Sequence, residues 1–203
     1  VTGMLLTEGL IQAPAPMRQE HPNVVNVAAT GSLEKLRRSS IMSTSCGLCG
    51  KGSIEAVHQH FPPLEDDVTI PRSRLEQMLH TLDTVQPAFA RTGGLHAAAL
   101  FTRTGVLAVA REDVGRHNAV DKVIGHALLR GWVPLAGHTL LVSGRASFEI
   151  LQKALGARIP IVAAVSAPSS LAVEFACASG QTLVGFLRPG RFNVYTHFER
   201  ITS

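Results

Sequence analysis

Thr139-Leu-Leu-Val-Ser-Gly-Arg-Ala-Ser-Phe-Glu-Ile-Leu-Gln-Lys-Ala-Leu-Gly-Ala-Arg-Ile-Pro-Ile-Val-Ala-Ala-Val165 is the stretch on which the fold turns. Thr139 to Val142 is a short apolar run with no polar alternation, the pattern of a strand buried on both faces. Ser147 to Leu155 then reads as a helix, ended by Gly156. Pro160 to Val165 is a second unbroken apolar run. The same grammar extends outward in both directions. Upstream, Val106 to Ala110 is a strand. Arg116 to Arg130 is a helix with Val120, Val123, Ile124, Ala127 and Leu128 on one face and Gly131 as its stop. Downstream, Ser169 to Ser179 is a helix capped by Ser and stopped by Gly180. Thr182 to Leu187 is a strand, and Arg191 to Thr196 a last short one. This β-α-β-α-β-α-β order predicts a layered α/β fold whose mixed, largely parallel sheet has its central strands covered on both faces.

The first third is less regular. Gly3 to Ile11 reads as a helix, interrupted by Ala13-Pro-Ala-Pro16. The chain opens at Val1 inside that helix, which suggests that a segment precedes it. Asn23 to Ala29 reads as a strand, and Leu33 to Ser43 is mixed. Pro71 opens a helix with Leu75, Met78, Leu79 and Leu82 at helical spacing. Thr92-Gly-Gly94 breaks the chain before Leu95 to Phe101. The expected organisation is residues 1–70 as an N-terminal region bearing a cysteine loop and 71–203 as an α/β core, in one compact unit. No internal repeat is apparent.

At 203 residues the chain is long enough for a sizeable core. No apolar stretch approaches a membrane span. The net charge of +4 and isoelectric point near 9.3 are mildly basic, but one Trp and one Tyr offer little for base stacking. A nucleic-acid partner is therefore not expected. Three cysteines are too few for a disulfide framework and point to a reducing compartment, the cytoplasm.

Ligands of such sheets sit beyond the carboxyl ends of the strands. Three polar strand-to-helix junctions fall on that edge: Arg111 to Asn118, Ser143 to Ser147, and Ser166 to Ser170. Each feeds a helix N-terminus, where N–H groups hold anions, and Arg116 and Arg145 add charge-assisted bonds. Phe186-Leu-Arg-Pro-Gly-Arg191 is a turn with two further arginines, suited to clamp a phosphate. The bland alternative is that these polar residues only cap helices. Glu112, Asp113, Arg116, His117, Asp121 and Lys122 also fit a salt-bridged helix start, with Asp121 a solvated partner of Lys122 or Arg130.

Cys46-Gly-Leu-Cys49 lies among Gly47, Gly50 and Gly52, with Lys51 adjacent. Zinc needs about four ligands, and no histidine has a clear ligand spacing. Cys177 is expected in the core. Thiol redox chemistry normally opens a helix after a strand. Sulfur relay needs an accessible thiolate favoured by positive charge. Spacing alone leaves all three open.

Thr44-Ser-Cys-Gly-Leu-Cys-Gly-Lys51, Thr92-Gly-Gly-Leu-His-Ala-Ala98, Glu112-Asp-Val-Gly-Arg-His-Asn-Ala-Val-Asp-Lys122 and Ser143-Gly-Arg-Ala-Ser147 occur in one order. With Ala164 to Ala172 and Arg191-Phe-Asn-Val-Tyr195, they resemble the formate dehydrogenase accessory sulfurtransferase family over nearly the whole chain. The resemblance implies a homodimeric sulfurtransferase with a cytidine deaminase-like fold. It implies sulfur taken from a cysteine desulfurase onto Cys46 as a persulfide, with Cys49 as its partner. The recipient would be the molybdenum bis(molybdopterin guanine dinucleotide) cofactor, bound as substrate and destined for formate dehydrogenase. Its contacts would come from Phe186, Leu187, Arg188, Pro189, Gly190 and Arg191, from Ser143, Gly144 and Arg145, and from Arg116, His117 and Asn118. His96 is either near the ligand or a satisfied core histidine. Deaminase chemistry is disfavoured: His96 is followed by Ala97 and Ala98, so the catalytic Glu of His-x-Glu is missing. No bound metal is expected. The alternative is a non-catalytic nucleotide or cofactor chaperone with structural or metal-binding cysteines.

Overall fold

The computed structural model describes residues 1–28 and 54–203. In chain order these form α1 (Thr2–Thr7), the hairpin β1 (Met17–His21) and β2 (Val24–Val27), α2 (Ile54–His58), β3 (Ile70–Pro71), α3 (Arg72–Thr84) and α4 (Pro87–Thr92). Next come β4 (His96–Phe101), β5 (Leu107–Asp113), α5 (Arg116–Leu129), β6 (Thr139–Val142), α6 (Phe148–Gly156), β7 (Ile161–Ala164) and α7 (Ser170–Ala178). The chain ends with β8 (Thr182–Arg188), β9 (Arg191–Thr196), a 3-10 turn and β10 (Ile201–Thr202), the last parallel to β3.

The main sheet runs β5-β4-β6-β7-β8-β9. Its centre, β6-β7-β8, is parallel, and its flanks are antiparallel. The α/β layering and the parallel centre are what the pattern predicts; the antiparallel flanks make the sheet mixed. Sequence pattern did not resolve β4, the stretch after the Thr92-Gly-Gly94 break. It runs against both β5 and β6, so β5 points the same way as β6, β7 and β8.

Every residue of β6 and β7 is buried. Side chains alternate across a strand, so each central strand feeds two cores. Leu140, Val142, Val162 and Ala164 pack with α1, α5, α6 and α7 on one face. Leu141, Ile161 and Ala163 meet Leu75, Met78, Leu79 and Leu82 of α3 on the other. The spacing expected for α3 is therefore its buried stripe. Its Pro71 sits at the N-cap with φ −64°, already set for helix entry. Gly131 closes α5 at φ 71°, a conformation other residues adopt at a cost.

Two expectations need correction. Asp121 is not a solvated partner of Lys122 or Arg130. Its carboxylate bonds the buried Lys153 ammonium at 2.8 and 3.0 Å. Lys153 also reaches Thr7 Oγ1 at 3.3 Å. The pair thus ties α5, α6 and α1 together where α1 crosses α5 at Gly3 and Gly125; a Cβ on Gly3 would collide with the Asp121 carbonyl. Burial, the larger effect, raises Asp121's carboxyl above its ordinary value, and the Lys153 ammonium pulls it back. Cys177 is exposed, not in the core. The buried stripe of α7 is Ala172, Phe175 and Ala176, and position 177 turns off it.

Breaking this ion pair from one side leaves an uncompensated buried charge. Lys153→Met should cost about 3–5 kcal/mol. Lys153→Met with Asp121→Leu should cost clearly less than the sum of the two single changes, as read from urea unfolding.

Candidate functional site

Because β5, β6, β7 and β8 share a direction, their carboxyl ends lie along one edge. The amino ends of β4 and β9 arrive at the same edge, since both run the other way. His96 stands there directly opposite Asp113. All the described residues expected at the site therefore belong to one rim, in three groups.

The first group fastens the rim. Asp113 takes the Gly115 N–H at 2.9 Å and the Asn118 amide at 3.1 Å on one oxygen, and Lys122 at 2.6 Å on the other. Burial alone would raise its carboxyl; these donors outweigh it and hold it below its ordinary value. Glu112 accepts the Ala88 and Phe89 N–H groups at 2.9 and 2.7 Å and so caps α4. Ser143 Oγ accepts the Ala97 N–H at 2.8 Å, and its own N–H bonds the Ala97 carbonyl at 3.0 Å. Asn118, Ser143 and the acids thus shape the loops, and the Asp113–Lys122 pair is the salt-bridged helix start expected of this segment.

The second group converges. A Cβ placed on Gly144 would lie 3.3 Å from His96 Nδ1 and 3.5 Å from Arg116 Cδ. Glycine lets the starts of β4 and α5 close on the end of β6. Burial lowers Arg116's affinity for its proton, the neighbouring Arg145 lowers it further, and Glu149 opposes both. His117 Nε2 shares a hydrogen bond with Ser147 Oγ at 3.1 Å and lies 3.9 Å from Glu149 Oε2. Burial first, and Arg116 second, push its pKa down to about 4, so it is neutral at pH 7. His96, Arg116, His117, Gly144 and Arg145 are the expected site residues brought together. Glu149 and Ser147 join them; their signal was only a Ser-x-Glu at a helix start, easily read as capping.

The third group is the β8–β9 hairpin. Phe186 adopts φ 53°, unusual for a bulky residue, and the residue is 45% exposed. Its N–H donates to the Ser166 carbonyl at 3.2 Å. Arg188 donates to the Val165 and Leu187 carbonyls. Leu187 packs in the second core, so only its backbone faces the rim. Pro189 and Gly190 form the turn, and the Gly190 carbonyl accepts from Arg72 Nη2 at 3.2 Å. The Arg72 guanidinium also lies 4.6 Å over the Phe192 ring, which fastens the hairpin to α3. Arg191 is exposed. A bridge between Ala146 and Pro168 links the loop after β6 to the loop after β7, whose Ser166 holds Phe186.

Cys46 and Cys49 lie outside the described residues. Among the described residues, no three His, Cys, Asp or Glu side chains gather as a metal site. No described helix is long and apolar enough to cross a membrane.

Fold and rim define a mixed α/β protein that gathers arginine, histidine and glycine at the carboxyl ends of its parallel strands. The model of the FdhD/NarQ family matches residues 1–202, and the chain belongs to that family. It is 54% identical over 186 residues to the sulfur carrier protein FdhD of Mycobacterium tuberculosis, covering 89% of this chain and 67% of that protein. It is 48% identical over 217 residues to the protein of the same name from Mycolicibacterium paratuberculosis, covering 98% of this chain and 80% of that one. Among solved structures, it is similar to one assigned as a formate dehydrogenase accessory protein of Desulfotalea psychrophila. The TM-score is 0.75 at 29% identity, over 98% of this chain and 78% of that one.

The His117 environment sets a pH dependence. Its folded pKa, about 4, lies below the ordinary 6.5. Between these values the unfolded chain binds the extra proton, so stability present above pH 6.5 is lost as pH falls toward 4. His117→Gln should flatten that acid limb in urea midpoints measured from pH 7 to 4. Parallel wild-type and variant curves would refute the assignment.

Proposed function

We propose that this protein carries sulfur to the molybdenum bis(molybdopterin guanine dinucleotide) cofactor, which it binds as substrate, for use by formate dehydrogenase. The observation that carries the reading is the convergence of Arg116, Arg145, His96 and His117 around Gly144 at the strand ends. Two guanidinium groups kept close there favour an anion between them, as the diphosphate of a guanine nucleotide arm provides. The exposed Phe186, held at a positive φ, offers a ring face for a purine beside it. The name shared by the relatives, sulfur carrier protein, supports the sulfur role.

The chemistry assigned to Cys46 is persulfide transfer. Its thiolate attacks the outer sulfur of a desulfurase persulfide, forming a new S–S bond and releasing the donor thiolate. Cys49 then attacks the inner sulfur, forming a Cys46–Cys49 disulfide and releasing hydrosulfide as a ligand for the metal. The disulfide is returned to thiols by a dithiol reductant. A homodimer, a cytidine deaminase-like fold and a cytoplasmic setting, where thiols stay reduced, belong to the same reading.

Incubation with a cysteine desulfurase and cysteine should add one sulfur, about 32 Da by mass spectrometry. The gain should vanish in Cys46→Ala. A label on Cys177, or none, would overturn the assignment. Stoichiometric zinc, with cofactor delivery intact in Cys46→Ala, would instead support a non-catalytic chaperone.

Arg145→Ala should weaken GDP binding about tenfold, the loss of one charge-assisted bond, measured by calorimetry. Unchanged affinity would remove this rim from the account.

A further inference from the structure

Two consecutive units of this protein share one plan. β6 and α6 are four and nine residues long, and so are β7 and α7. Positions 139 and 148 correspond to 161 and 170, a constant offset of 22. The loops between strand and helix are zipped together by the Ala146–Pro168 bridge, itself a matched pair.

At this offset Ser147 matches Ser169, the N-cap of the second helix. Their backbones are alike: φ −98°, ψ 166° at Ser147 and φ −81°, ψ 157° at Ser169. Their hydroxyls behave differently. Ser169 Oγ accepts the Ala172 N–H at 3.2 Å, an ordinary cap. Ser147 makes no cap bond, and its Oγ sits 3.1 Å from His117 Nε2. The matched N–H, that of Ile150, goes instead to the Ser147 main-chain carbonyl at 3.0 Å, which leaves the Ser147 hydroxyl to His117. The other differences have the same address. Gly144, Arg145 and Glu149 match Ser166, Ala167 and Leu171, so the first unit holds the groups that converge and the second holds an ordinary helix start.

We propose that Ser147 is a positioning residue for His117, freed from capping for that purpose. Ser147 Oγ accepts from Nε2–H, and the Glu149 carboxylate at 3.9 Å favours a proton on that same nitrogen. His117 is then held as a single neutral tautomer, and Nδ1 is left as the ring's acceptor for a donor group on the bound nucleotide. This last step rests on the nucleotide reading of the rim; the hold on His117 does not.

Ring-nitrogen NMR of His117, thermal unfolding and GDP calorimetry on the full chain test the proposal together. Wild type should show the Nε2–H tautomer. Ser147→Ala should lose that preference and weaken GDP binding about fivefold, with little change in Tm. Ser147→Thr should restore both. Ser169→Ala should do the reverse, lowering Tm by about 3 °C with the tautomer and GDP affinity unmoved. If Ser147→Ala lowers Tm as Ser169→Ala does and leaves His117 unchanged, Ser147 is a plain cap and the proposal fails. If wild type binds no GDP, the nucleotide reading fails, while the tautomer measurement still decides the role of Ser147.

Discussion

Backbone pairing in strands that never meet water is the constraint on which this molecule rests. β6 and β7 are buried along their whole length, so each of their N–H and C=O groups must bond a neighbouring strand. The chain is free of that demand only where the strands stop. Polar side chains, glycines and turns are accordingly expelled to the ends of the sheet. The shared direction of β5 to β8 then decides that one end receives four strand-to-helix or strand-to-turn exits.

Charge is divided on that rim according to burial. Asp113, Glu112 and Lys122 spend themselves on backbone groups and on each other, which fixes loop shape. Arg116 feels the positive charge of Arg145, and Glu149 offsets that repulsion. His117 escapes such repulsion by staying neutral. The buried Asp121–Lys153 pair is a different case, since it lies in the first core and joins three helices. Its contribution is orientation of α1 over α5 and α6 more than net stability, because desolvation consumes most of the attraction.

The sequence made much of this legible. Unbroken apolar runs identify doubly buried strands, and the helical spacing of α3 and α5 is the spacing of their buried faces. What escaped follows from long-range geometry. Leu95 to Phe101 carries no mark of lying antiparallel between two like-directed strands. Asp121 and Lys153 stand 32 positions apart, so nothing local announces their contact. Cys177 has apolar neighbours in sequence, yet one helical step separates the core stripe of α7 from solvent. The plan shared by the two units is invisible in composition because the residues that distinguish them are those of the site.

The inserted strand explains why these side chains gather where they do. A wholly parallel sheet would offer its carboxyl edge only the loops that follow its strands. β4 runs backwards and delivers its first residue, His96, to that edge. There it meets Gly144, where a Cβ would press on the imidazole at 3.3 Å. At the matched position of the next unit, Ser166 faces no incoming antiparallel strand, since β7 has parallel neighbours on both sides. The glycine therefore suits the topology, since it keeps this approach unstrained. One reversed strand thus places a histidine against a glycine, with Arg116 packed on the same spot.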